Sequence, residues 1–126
     1  MVSEIYIRMS REAKELQDIW DPKEGDLIVW DFDGNFKQDL LRLKKASKQD
    51  LQDLDVFWLP RQEDLIKIME NNWEHGRCEL IGHFHNFSWN YIHDRCEKYD
   101  FNELWLMVLM EYVYDKRWDG NGWVKQ

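Results

Sequence analysis

Three groups of residues in this chain have the types and spacing to do chemistry. The first follows an apolar run, Leu27-Ile28-Val29-Trp30, which ends in Asp31-Phe32-Asp33-Gly34-Asn35. Two carboxylates two residues apart suit a Mg²⁺-dependent phosphatase or nuclease, provided that both enter one pocket beside a third acid. The second is His75-Gly76-Arg77-Cys78-Glu79 and His93-Asp94-Arg95-Cys96-Glu97, with His83 and His85 between them. Imidazole and thiolate are the donors Zn²⁺ prefers, and an i,i+3 pair on a helix can present two of them together. His75, Cys78, His93 and Cys96 would then be the ligands. The third is Trp58, Arg61, Trp118, Asp119 and Trp123. Tryptophan and arginine are favoured contact anchors because they supply area and directional bonds at modest entropic cost.

Each group also has a plainer reading. Asp33-Gly34-Asn35 is a turn signal, with Asp and Asn side chains that hydrogen-bond their own backbone. The helix expected between the two His–Cys pairs holds them apart, and His83 and His85 point to different faces of it. No closely spaced Cys-x-x-Cys knuckle is present, so the cysteines read as small apolar groups. The tryptophans could close a satellite core, with Arg61 paired to an acid. No metal or other cofactor is therefore expected, and Trp58, Arg61, Trp118 and Trp123 are the residues assigned to contact with a partner.

Asp31-Phe32-Asp33-Gly34 resembles the first motif of haloacid-dehalogenase-like phosphatases. The resemblance implies Asp31 as the nucleophile, Asp33 as the proton shuttle and Mg²⁺ between them. The rest of the family pattern is missing. Val56–Leu59, the best second strand, runs into Pro60-Arg61 with no hydroxyl residue, and Asn35 stands where a Thr is usual. Asp94, Glu97 and Asp100 follow no convincing strand. Too few strands are present for a parallel sheet with alternating helices.

The elements that must position these groups are read from periodicity. Residues 1–8 are a short lead-in, with Ile5-Tyr6-Ile7 as a small edge strand or unstructured, and one domain spans 9–126. Ser10 is placed as an N-cap for a helix carrying Ala13, Leu16 and Trp20, which Asp21-Pro22 ends. Residues 26–32 are β-prone, and 36–43 are either a short helix or a return strand. Ser47 caps a short helix, and Val56–Leu59 is a buried strand. Pro60 opens a helix lined by Leu65, Ile66, Met69 and Trp73. Leu80, Phe84, Phe87 and Tyr91 mark the next helix. Asp100 and Glu103 are spaced as a capping box for a mostly buried last helix. Trp123-Val124 is a terminal β-arm. The sum is an α+β fold: a small antiparallel sheet or hairpin packed with about four helices, in a single domain.

Composition narrows the function classes. In 126 residues, 25 acidic and 17 basic side chains give a net charge of −8, the wrong sign for a simple nucleic-acid binder. No apolar run approaches the length of a membrane span, and no signal-peptide core opens the chain. Two cysteines make no disulfide framework, so reduced thiols in a cytoplasm are expected. Eight Trp, five Tyr and six Phe are more rings than a domain of this size can centre, so some should face a partner or another copy.

Two segments carry a further resemblance. One is Trp58-Leu59-Pro60-Arg61-Gln62 with Leu65 and Met69. The other is Glu103-Leu104-Trp105-Leu106 with Met110, Tyr112, Lys116, Trp118-Asp119-Gly120 and Trp123. Glu24-Gly25-Asp26 fits the same pattern. Together they resemble a group of small phage- and prophage-encoded proteins of Gram-positive bacteria. The resemblance implies a host cytoplasm and brings no activity with it. A binding protein that engages a host or phage protein, or its own copies, is the resulting expectation; host-directed inhibition is one form of it.

Overall fold

A computed structural model describes residues 2–42, 47–94 and 99–126, with only the backbone described for 90–94. The fold is α+β, as the sequence led one to expect. Among the described residues it contains six helices, a three-stranded antiparallel sheet and a two-stranded hairpin. Its contacts fall into two compact units, residues 1–61 and 62–126.

The first unit opens with α1 (Glu4–Glu12) and α2 (Lys14–Ile19), followed by β1 (Leu27–Phe32) and β2 (Asn35–Leu40). Next come α3 (Lys48–Asp53) and β3 (Val56–Trp58). Helix α1 corrects the reading of residues 1–8 as a lead-in or edge strand. Ser3 is the N-cap, its side chain accepting from the Tyr6 N–H at 3.1 Å. Tyr6 and Met9 are fully buried, and the Tyr6 hydroxyl donates to the Pro60 carbonyl. Ser10, expected as the cap, lies inside α1 and is itself fully buried. The expected single helix to Trp20 is instead interrupted at Ala13, whose ψ of 74° leaves helical geometry.

The sheet order is β2-β1-β3, antiparallel throughout. Residues 36–40 resolve as the return strand, which decides between the two readings of 36–43; residues 43–46 lie outside the described residues. Ile28 and Val29 in β1 and Val56, Phe57 and Trp58 in β3 are buried at consecutive positions, so both faces of the sheet are covered there. Ser47 caps α3 as expected, its side chain accepting from the Asp50 N–H.

The second unit contains α4 (Gln62–Asn72), α5 (Arg77–Asp94), α6 (Phe101–Tyr114) and the hairpin β4 (Lys116–Trp118) and β5 (Trp123–Lys125). The capping box of α6 is formed in full: Asp100 accepts from the Glu103 N–H at 2.8 Å, and Glu103 accepts from the Asp100 N–H at 3.1 Å. Leu104 through Met110 are all buried, so nearly the whole circumference of α6 is packed. Phe84 stacks on Trp105 with ring centres 4.0 Å apart and planes 8° from parallel. No described helix is long and apolar enough to cross a membrane.

Candidate functional site: the aspartate hairpin and its surroundings

Strand β1 ends at Phe32 and β2 begins at Asn35, so Asp33 and Gly34 form a two-residue loop. Both have positive φ, 52° and 90°. Two such residues in succession make the type I′ turn, whose twist matches that of the strands it joins. Asp tolerates the left-handed region better than most residues, and Gly adopts it freely. The Asp-Gly dipeptide is therefore explained by backbone geometry alone.

Asp31 stands two residues before the loop, and both of its oxygens are engaged. Oδ1 accepts from the Gly34 N–H at 2.9 Å, tying the turn to the strand. Oδ2 faces Nη1 of Arg11 at 3.4 Å. The Arg11 guanidinium also bonds Glu12 at 3.1 Å and lies 5.2 Å from the centre of the Phe36 ring. A cation held over a ring and beside a carboxylate makes this a packed charge pair on the sheet. Asp31 borders a cleft of about 330 Å³ that Lys14, Asp18, Asp55 and Phe57 also line. Asp33 belongs to the turn and is exposed, and it does not line that cleft. The two aspartates of the motif are thus separated in role. Among the described residues no three His, Cys, Asp or Glu side chains come together as a metal site.

The contact residues expected from the sequence lie elsewhere. Trp58 is only 7% exposed, and its ring stacks on Trp20 at 6.3 Å with planes 2° from parallel. Arg61 is half-buried and donates to the Gly25 carbonyl at 2.7 Å. Gly25, at a φ of 94°, lies at the turn that leads into β1. Trp118 is 5% exposed and packs edge-on against half-buried Trp123, 5.1 Å away. Trp58 and Trp118 therefore have little surface left for a partner: they close the two units locally, which was the plainer reading.

Of the His–Cys group, His75 and Cys78 are exposed, and His75 Nδ1 faces Glu79 Oε2 at 3.5 Å. The His93 side chain and Cys96 lie outside the described residues. His83 instead joins an aromatic cluster with Trp73, 5.3 Å away, and Tyr112, 5.9 Å away. Beside that cluster, burial pushes the Glu111 carboxyl above its ordinary range; the opposing effects of His83 and Gln126 are smaller. At the β4–β5 turn, the Asn121 and Gly122 N–H groups hold the Asp119 carboxyl below its ordinary range.

Two features escaped sequence reasoning. Trp30 and Phe32 alternate along β1, so they share a face, and their rings stack at 6.1 Å with planes 4° from parallel. Phe32 is 56% exposed. The period-2 spacing of the two rings was a usable signal in a segment read only as β-prone. The second is Gln17. Its side-chain amide accepts from the Trp58 N–H and donates to the Trp58 carbonyl, both at 2.8 Å. It thus occupies the outer edge of β3 as another strand would, and no local pattern announces that. No family model, curated protein or solved structure matches the chain.

Proposed function

We propose that this chain acts by binding another protein, as a phage or prophage accessory protein, and not by catalysis. The observation that carries the reading is the stacked Trp30–Phe32 pair on the β1–β2 hairpin, with more than half of Phe32 in solvent. A ring already held by a neighbour loses little freedom on contact, so its burial against a partner is nearly all gain. The engagement of both Asp31 oxygens supports the same reading, because a nucleophilic or Mg²⁺-binding carboxylate must face its substrate. The net charge of −8 favours a partner with a basic surface. The phage setting and a host-cytoplasm location rest on the sequence resemblance of Trp58–Gln62 and the Trp118–Trp123 segment.

The test is affinity capture from a lysate of a Gram-positive host, with wild type and Phe32→Ala compared side by side. One partner should be retained by wild type and lost from Phe32→Ala while the fold persists. Mg²⁺-dependent hydrolysis of a simple phosphate ester, abolished in Asp31→Asn, would overturn the reading in favour of a phosphatase or nuclease.

A further inference from the structure

The two edges of the three-stranded sheet are treated differently. At the β3 edge, the Gln17 amide occupies the outward N–H and C=O of Trp58. At the β2 edge, the outward groups follow from the register. A two-residue loop closes on a hydrogen-bonded pair, here Phe32 with Asn35, and such pairs alternate along the ladder. The bond from the Leu41 N–H to the Asp26 carbonyl, 2.8 Å, confirms this parity. Asn35, Lys37 and Asp39 therefore bond inward to β1, and Phe36, Gln38 and Leu40 point their backbone groups outward. Among the described residues, the Phe36 and Gln38 backbone groups have no partner on that side, and the Leu40 N–H is met only by the neighbouring Asp39 carboxylate at 2.8 Å. Leu40 is 42% exposed and Lys37 and Gln38 are exposed.

We propose that β2 pairs with β2 of a second copy of this chain, antiparallel, about a two-fold axis at Gln38. In this register Phe36 faces Leu40 of the second copy and Gln38 faces its own counterpart. These are the positions whose backbone groups point outward, so each pair exchanges hydrogen bonds. On the other face of the sheet, Lys37 faces Asp39 of the second copy, and the two-fold repeats the pair. Shifting the axis to Lys37 would set two lysines against each other, and shifting it to Asp39 would set two aspartates together. Opposite charges directly across a ladder stabilise it and like charges destabilise it, so the side chains select one register. A lone lysine on an edge strand discourages pairing; here Asp39 supplies its complement two residues on. The pairing joins two sheets into one of six strands and covers the exposed Leu40. It extends the binding reading and stands or falls separately from it.

Sedimentation equilibrium of wild type, Lys37→Glu, Asp39→Lys and the double variant tests the register. The two substitutions fall on exposed Lys37 and half-exposed Asp39, and a retained cooperative melting transition verifies folding. Wild type should dimerise reversibly. Each single reversal creates two like-charge pairs and should weaken the dimer at least about tenfold, about 1.4 kcal/mol. The double variant restores both pairs with signs exchanged and should return to within about threefold of wild type, about 0.7 kcal/mol. A protein that stays monomeric to about 1 mM, an association free energy weaker than about 4 kcal/mol, overturns the pairing. So does a dimer indifferent to the single reversals, or one that the double variant fails to rescue. A monomer that still captures a partner through Phe32 leaves the binding reading intact; a charge-sensitive dimer with no captured partner does the reverse.

Discussion

Gln17 is the most informative position for the stability of the first unit. Its amide makes three bonds: to the Ser10 carbonyl at 3.0 Å, to the Trp58 carbonyl at 2.8 Å, and from the Trp58 N–H at 2.8 Å. Replacing it with Ala leaves the Trp58 N–H and C=O without partners beside a side chain that is only 7% exposed. A buried polar group left unsatisfied costs about 1–3 kcal/mol. Truncation also makes room for water near the strand edge, so the lower end applies to each group. With a smaller contribution from Ser10, the expected loss is about 2–3 kcal/mol. For a chain of this size that is a drop in Tm of roughly 8–12 °C. Gln17→Glu adds a sign test, since a carboxylate can accept from the Trp58 N–H but cannot donate to either carbonyl. The two carbonyls disfavour its charged form, so the folded-state pKa of the introduced Glu rises. Its deficit should be largest above that pKa and shrink as pH falls through it. Urea denaturation of both variants across pH measures the effect. A Gln17→Ala protein within about 0.5 kcal/mol of wild type would refute the edge-capping argument.

Two further substitutions have a sign worth testing. Ser10 was expected to be an N-cap, whose loss would destabilise by about 1 kcal/mol; in the fold its hydroxyl is buried with no hydrogen-bond partner among the described residues. Ser10→Ala should therefore be neutral or stabilising by up to about 1 kcal/mol in urea titration, the opposite of a cap. Burial raises the Glu111 pKa, so its contribution to stability is fully present below the ordinary Glu value and is lost as pH rises through the raised one. Glu111→Gln should abolish that decline, giving a flatter stability profile above about pH 4.5 than wild type shows.

What was legible in the sequence was mostly local. The Asp100/Glu103 capping box, the Ser47 cap, the Asp33-Gly34 turn and the Trp123 β-arm each depend on residues within a few positions of one another. The failures involve distant partners. Ile5-Tyr6-Ile7 is β-prone in isolation, yet the buried Tyr6 hydroxyl reaches the Pro60 carbonyl, 54 residues away, and tertiary packing sets the helix. Ser3 caps that helix and Ser10 is buried within it, a difference set by tertiary packing and not by residue type. The candidate site divided in the same way. The turn reading of Asp33-Gly34 was available from type alone, but the engagement of Asp31 by Arg11 crosses from helix to strand and leaves no sequence pattern. Trp58 and Trp118 looked like contact residues because Trp is common at interfaces; it is equally suited to close a small core, and only burial decides.

The acidic excess also changes meaning once the aspartates are placed. The described non-glycine residues with positive φ are Asp33, Asp55 and Asp115, one at a hairpin and two just beyond helix ends. Aspartate tolerates that region because its short polar side chain can bond locally. Others serve as acceptors for backbone N–H groups: Asp26 for Lys23, Asp31 for Gly34, Asp39 for Leu40, Asp100 for Glu103, and Asp119 for Asn121 and Gly122. Eight of the 25 acidic residues thus serve turns and helix or strand ends, five of them with carboxylates that replace missing backbone partners. Net charge then says less about a partner than it first suggests. A patch that recognises another molecule must be sought where a side chain has no such local task. On the β1–β2 hairpin those positions are Phe32 and Lys37 on one face of the sheet and Leu40 on the other. Lys37 and Leu40 lie on β2, the sheet edge that Gln17 leaves uncapped, and Phe32 on the strand beside it, which is why the hairpin, and not the acidic surface at large, is where contact is to be tested.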